Sequence, residues 1–328
     1  AMTRLAAAFV AIAGVLASPA GAQTYPNKPI RLVVGFTPGG SNDVSARLLA
    51  SKLSPLLGRS VVVDNRPGAG GHVGANLVAK AAPDGYTLFF TTAGVICVNP
   101  HFKPDMPFHP INDFEFVAFM SDYASVMATH PKLGVRDFQS FVAAARAAPG
   151  KYNAATAGLG ATQHIAFIVM NNLLDLKMEL INYPGTAQAT AAIVKGEVAV
   201  GIAAVSTMKS FIDAGSLVPL AVLRDRRSAL LPAVPTIVEA GFPEFLKNGS
   251  WGGRQFVLAP RGTPRQIVAK LNGAIQQAMQ DPDMKSKLRD LGQEDISGAA
   301  PEKVREIVKR EYDTWGEVIR RYDIKAQQ

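Results

Sequence analysis

The sequence predicts an α/β protein whose strands assemble into doubly wound, mostly parallel sheets. Short apolar, β-rich runs alternate with segments of helical periodicity between residues 30 and 92, and again from about 124 to 203. Gly, Pro, Asn and Asp cluster at the joints between them. That rhythm of strand, helix and strand is the signature of βαβ units. The chain has 328 residues, enough for two domains at roughly 100–200 residues each.

The first series opens with Ile30-Arg31-Leu32-Val33-Val34-Gly35-Phe36, a run of strand formers, and residues 37–43 make a turn. Val44, Leu48, Leu49, Leu53, Leu56 and Leu57 then recur at helical spacing and Gly58 closes the helix. Val61 to Val63 is a second strand, 65–71 a Gly-rich turn before another helix, and Tyr86 to Thr92 a third strand. The second series reads strand 125–129, helix 135–148, strand 152–156 and turn 158–164, with a helix running on to Leu174. Strand 180–183, turn 184–186, helix 187–194 and strand 198–203 follow. After one more strand at 256–258 the chain turns helical. Thr263-Pro264-Arg265-Gln266 reads as a capping box with Pro at the first helical position. Pro301 opens a last helix with the apolar stripe Val304, Ile307, Val308, Trp315, Val318, Ile319 and Tyr322.

Composition excludes several classes. Hydrophobic residues make up 48% and charged residues 18%, which is globular and not disordered. A single cysteine, Cys97, excludes an internal disulfide framework and Cys-rich zinc modules, and its apolar setting predicts a buried, inert thiol. Arg4, the 13-residue apolar run Leu5 to Ala17 and the small-x-small pattern Ala20-Gly21-Ala22 read as a secretory signal peptide over 1–22, cut before Gln23. Ser18-Pro19 interrupts the run below the ~20 apolar residues a membrane-spanning helix needs. Export to the periplasm is the expectation. The net charge of +8 is scattered, without a basic run, so no nucleic-acid partner is expected. A diffuse field that aids capture of small anions and a merely solvated surface remain open alternatives.

Three strand-to-helix turns, 37–43, 156–164 and 183–188, are rich in Gly and hydroxyl residues. A helix start leaves N–H groups unpaired and carries partial positive charge, Gly allows close backbone approach, and Ser and Thr add donors. Such turns suit a carboxylate or phosphate, and in open α/β sheets ligands collect at the carboxyl ends of strands. The alternative for each turn is a tight connection and nothing more. Enzyme signatures fail. Gly39-Gly40-Ser41-Asn42-Asp43 lacks the last Gly of a nucleophile elbow, no phosphate-binding loop occurs, and the five His form no metal-ligating pair. No catalytic residue, cofactor or metal is expected. His101 and His109 are expected to be solvated, and His164 to be packed in a core or hydrogen-bonded.

The blocks 25–43, 65–71 and 83–88, with Leu231 to Gly241 and Ala259 to Pro264, resemble the Bug family, the substrate-binding proteins of tripartite tricarboxylate transporters, over about 25 to 322. The resemblance implies a two-lobed periplasmic binding protein of type II-like architecture, each lobe a central sheet flanked by helices. Lobe one would comprise 24–123 plus 245–328, and lobe two 124–244. It implies capture of a di- or tricarboxylate, aromatic carboxylate or related acid between the lobes, and delivery to membrane permease subunits by a monomer through transient contacts. The alternatives are a ligand sensor docking to a signalling partner and, more remotely, a secreted hydrolase using Ser41. Carried over by position, Thr37, Gly39, Gly40, Ser41, Asn42 and Asp43 line one side of the cleft, with Phe36 as a wall or as packing beneath the turn. Tyr183, Gly185, Thr186 and Ala187 line the other. Thr92, Thr156, Gly160, Thr162, His164 and Ser206 are expected to face the cleft. Asp43 is read as orienting its turn and helix start, with binding of an amino or hydroxyl group as the other reading. Gly35 stands where the family often has Pro.

Overall fold

The computed structural model describes residues 25–39, 41–102, 106–158, 161–248, 251–295 and 299–325. The expected leader, Gly40 and Gly160 lie outside the described residues. The chain runs through β1 (Ile30–Val34), α1 (Ser41–Leu57), β2 (Val61–Asn65), α2 (His72–Ala79), β3 (Thr87–Thr92) and β4 (Phe114–Tyr123). It continues as β5 (Ser125–Thr129), α3 (Phe138–Ala147), β6 (Asn153–Thr156), α4 (Thr162–Leu174), β7 (Glu179–Asn182) and α5 (Thr186–Lys195). Next come β8 (Val200–Ala204), α6 (Val205–Asp213) and β9 (Val218–Val222). It ends with β10 (Gly253–Pro260), α7 (Arg265–Gln280), α8 (Pro282–Asp290), β11 (Gln293–Asp295) and α9 (Pro301–Arg321).

The strands form two sheets, of order β11-β4-β10-β3-β1-β2 and β7-β6-β8-β5-β9. Each holds the parallel triplet that the sequence rhythm predicts: β2-β1-β3 in the first and β7-β6-β8 in the second. Antiparallel strands extend both triplets, β10, β4 and β11 in one and β5 and β9 in the other, so both sheets are mixed; β5, read as the first strand of the second series, is antiparallel to both its neighbours. The fold is two-lobed, with helices on the faces of each sheet. A parallel triplet must be covered on both sides, and β1 shows how. Ile30, Leu32 and Val34 pack with Leu49 and Leu53 of α1 and Leu271 and Ile275 of α7. Val33 faces the other way, into the cluster of Ala75, Val78, Val304, Val308 and Trp315.

Two passages between the sheets press together. Ala124 alone joins β4 to β5. On the return path a Cβ at Gly252 would stand 2.2 Å from the Tyr123 carbonyl oxygen, and one at Gly253 only 1.8 Å from the Tyr123 ring. Only glycine leaves room for this crossing. The turn between α8 and β11 also meets α6: a Cβ at Gly292 would lie 3.0 Å from Ser206 Cβ.

Several details differ from the sequence reading. β4, β9, β11, α6 and α8 are additional elements. Thr263 is not a helix cap: its hydroxyl donates to the Pro260 carbonyl at 2.7 Å, and Pro264 occupies the N-cap position of α7 without a side-chain cap. His101 is half-buried and not solvated. Its Nε2 lies 2.9 Å from the Tyr312 carbonyl and its ring 4.2 Å from the Tyr312 ring, and burial holds its pKa below the ordinary value. Exposed His109 accepts from the Ile111 and Asn112 N–H groups. Cys97 is fully buried, and burial raises its thiol pKa. Gly35 sits where a Cβ would come 2.8 Å from the Gly71 carbonyl oxygen, so no side chain fits there.

Candidate functional site

Asp43 organises the first turn. It is 2% exposed, and its carboxylate accepts from the Gly39 N–H at 2.8 Å, from Arg47 Nε at 2.9 Å and from Asn65 Nδ2 at 2.9 Å. Asn65 Nδ2 also reaches the Phe36 carbonyl at 3.0 Å. Burial works to raise the Asp43 pKa, but the hydrogen bonds from Arg47, Gly39 and Asn65 outweigh it and hold the group below its ordinary value. An acid so occupied shapes the turn and the start of α1. Phe36 is half-buried and packs against both core clusters.

In the second lobe the strand order places three helix starts along one edge. β7, β6 and β8 are adjacent and parallel, so their carboxyl ends lie together and lead into α5, α4 and α6. The N-caps of these helices, Gly185, Ala161 and Ala204, make no side-chain cap hydrogen bond. By contrast Asp137 caps α3 and Asp281 caps α8. First-turn N–H groups without a local acceptor are donors for an anion.

The edges approach each other at a cavity of about 60 Å³, lined by Thr92, Gly94, Tyr123, Thr162, Gly253, Glu311 and Trp315 among others. Thr92 ends β3 of the six-stranded sheet, and Thr162 begins α4 over the five-stranded one. Of the residues expected to face the cleft, the structure brings these two together. The 156–158 and 182–183 segments are also joined: the Thr156 hydroxyl donates to Asn182 Oδ1 at 2.6 Å and the Tyr183 N–H to the Thr156 carbonyl at 2.9 Å. Thr37, Gly39 and Ala187 are exposed, and Tyr183, Gly185 and Thr186 half-exposed; none of the six lines that cavity. Asn42 turns inward, His164 is buried with its pKa lowered by burial, and Ser206 lies against Gly292.

Sequence reasoning missed a buried polar network beneath α1. Gln255 Nε2 donates to Asn42 Oδ1 at 2.8 Å, Ser121 Oγ lies 3.0 Å from Gln255 Oε1 and 2.6 Å from Gln293 Oε1, and Gln293 Nε2 reaches Ser45 Oγ at 2.8 Å. It also missed Glu311, which pairs with Arg254 Nη1 at 2.6 Å. Among the described residues no cluster of three His, Cys, Asp or Glu could hold a metal ion, and no helix is long and apolar enough to cross a membrane.

Two sheets whose carboxyl edges meet across a cleft, tied by closely packed crossings, define a two-lobed solute-binding protein. A sequence profile described as the tripartite tricarboxylate transporter family receptor matches residues 45–324, and the chain belongs to that family. It is 35% identical over 330 residues to protein BugT of Bordetella pertussis (strain Tohama I), covering 99% of each chain. The structure of periplasmic binding protein BugD superposes with a TM-score of 0.77 at 30% identity, covering 92% of this chain and 100% of that one. MatC from Rhodopseudomonas palustris, solved with bound malate, gives a TM-score of 0.76 at 30% identity, covering 90% of this chain and 100% of that one. The family is one of receptors and not of enzymes, which sets aside the hydrolase alternative.

Proposed function

We propose that this protein captures a small carboxylate between its lobes in the periplasm and hands it to a membrane permease. One observation carries the reading: Thr92 of one lobe and Thr162 of the other line a single cavity between carboxyl strand edges. The uncapped helix starts at Thr162 and Thr186 supply donors, whereas the Val205 N–H is taken by the Ala124 carbonyl at 2.9 Å; malate bound to MatC supports the ligand class. The lobes comprise 24–123 plus 245–328, and 124–244. The carboxylate sits between the 37–43 and 183–188 turns, held by backbone N–H groups with Thr37, Ser41, Thr156 and Thr186 nearby, while Asp43 and Asn42 hold the turn from behind. Each hydrogen bond to a charged group contributes ~1.5–3 kcal/mol. Four or five offset the ordering costs and leave room for the ~8 kcal/mol of micromolar binding.

Titration calorimetry of the mature, leader-free protein against malate, other di- and tricarboxylates, aromatic acids and acidic amino acids tests this. Saturable one-to-one binding of at least one acid is expected. A folded protein silent to all of them overturns the reading. Delivery is tested by ligand uptake into vesicles carrying the candidate permease, with and without this protein.

A further inference from the structure

A second cavity, of about 320 Å³, opens where the chain passes between the sheets. Tyr123 and Gly252 line it from the two passages, Leu223 and Arg224 from the chain just after β9, and Arg310 and Glu311 from α9. None of the described residues of the turns 37–43, 156–164 and 183–188 lines it. Tyr123, Gly252 and Glu311 also line the small cavity shared by Thr92 and Thr162, so the two cavities have a common wall.

The charges decide what this pocket holds. Glu311, 6% exposed, is committed to Arg254 at 2.6 Å. Asp122 stands between Arg224 and Arg226, at 3.6 and 3.7 Å. The other charged residues of the lining are Lys247, Arg310 and Asp225. All three are exposed and make no ion pair or side-chain hydrogen bond among the described residues. Two cations to one carboxylate favour an anion. Buried Leu223 and Trp251, with half-buried Leu246, give the lining an apolar part. The volume of about 320 Å³ lies at the small end of the ~300–1,000 Å³ of small-molecule sites.

We propose that this pocket is an effector site for a small organic anion, a carboxylate or phosphate ester on an apolar body the size of one aromatic ring. Lys247 and Arg310 hold its charged group, because ammonium and guanidinium groups bind either anion through charge-assisted hydrogen bonds. A ligand carrying an ammonium group instead meets two like charges and is disfavoured. A pocket with walls from both sheets and both passages changes shape when the lobes turn about those passages. Its occupant therefore favours one lobe angle and through it alters affinity in the cleft. The effector role rests on the carboxylate reading; the site itself does not.

Amide proton–nitrogen NMR and calorimetry of the leader-free protein test this. Phenyl phosphate and benzoate are the anion probes, and inorganic phosphate, benzyl alcohol and benzylamine the controls. At least one aryl anion should bind ~10-fold more tightly than every control and move the signals of 223–225 and 310–314. The tighter of the two tells phosphate ester from carboxylate. The double variant Lys247→Gln, Arg310→Gln changes exposed side chains only, so its fold should hold. It should lose at least ~10-fold for that anion and keep its affinity for the carboxylate of the cleft. Signals moving at 37–43 and 183–188 in place of the pocket's, or an unaltered affinity in the double variant, overturn the site. With the pocket saturated, affinity for whichever carboxylate the cleft takes should change at least ~5-fold in wild type and not in the double variant. No change in wild type overturns the effector role. A protein that binds the aryl anion at the pocket and no acid at the turns refutes the carboxylate reading and the effector role with it, and leaves the site standing.

Discussion

Gln255 and Asn42, 213 residues apart in the chain, are joined by a 2.8 Å hydrogen bond from Gln255 Nε2 to Asn42 Oδ1. Gln255 lies in β10 two residues beyond the Gly253 crossing, and Asn42 lies in the first turn of α1. Through Ser121 the same network reaches β4, just before the chain passes to the second sheet. The helix start expected to face the ligand is thus tied to both strands that run to the crossings.

Replacing Gln255 by Leu should destabilise the protein by about 2–3 kcal/mol in urea titrations, because Asn42 Oδ1 and Ser121 Oγ lose a partner in a buried setting. Affinity for whichever carboxylate the wild type binds in calorimetry should fall as well, since the first turn of α1 loses its anchor. Unchanged stability in Gln255→Leu would show that water replaces the amide without loss.

Asp43→Asn tests the first turn by pH. A carboxyl whose folded pKa is depressed contributes stability above its unfolded value of about 4, and the contribution drains away as pH falls through the lower folded value. Wild type should therefore lose stability from about pH 4 downward more steeply than Asp43→Asn, and the variant should be the less stable of the two at pH 7. Thermal melts from pH 2.5 to 7 check this; parallel curves would contradict the assignment of Asp43 as the turn's ionised hub.

Gly253→Ala would drive a methyl group into the Tyr123 ring, which lies 1.8 Å from the Cβ position. Overpacking of this kind costs about 1–3 kcal/mol. Trimming the ring in a Gly253→Ala, Tyr123→Ala double variant should recover part of the loss, so the double-mutant cycle should show favourable coupling. Additive losses would mean the strain lies elsewhere in the crossing.

Asp122 at the end of β4 stands 3.6 Å from Arg224 and 3.7 Å from Arg226, which follow β9 of the other sheet. Such partly exposed pairs are worth ~0–1 kcal/mol and weaken with salt. In small-angle scattering, Asp122→Asn should give a slightly larger radius of gyration than wild type at low salt. The difference should shrink towards zero near ~0.5 M salt, where the screening length falls well below the ~8 Å of physiological strength.

Much of this architecture was legible because parallel strands announce themselves. Leu32 to Val34 and Leu88 to Phe90 are apolar throughout, since both faces are covered. The strand–helix rhythm gave the two parallel triplets. β4 escaped although Phe116 to Met120 is just as apolar, because it follows a Pro-rich loop and precedes another strand, outside the alternation. β11 has three residues and exists through its pairing with β4, a partner some 170 positions away that no local pattern reveals. Thr263 carried a cap's sequence but bonds backwards to Pro260. At the site, the turns and their hydroxyls could be read from composition, whereas the inward bond of Asn42 depends on Gln255, a neighbour from a distant part of the chain.

The place of β10 in its sheet has a consequence in time. It lies between β3 and β4, yet it is made after every strand of the five-stranded sheet. As the chain emerges N-terminus first, from a ribosome or a translocation channel, the younger sheet has all its strands once Val222 is out. The older one still lacks its middle until Gly253 to Pro260 appear. Chains truncated near residue 240 should accordingly resist protease across 125–222 while being cut within 30–100, so the half that begins first is the half that finishes last.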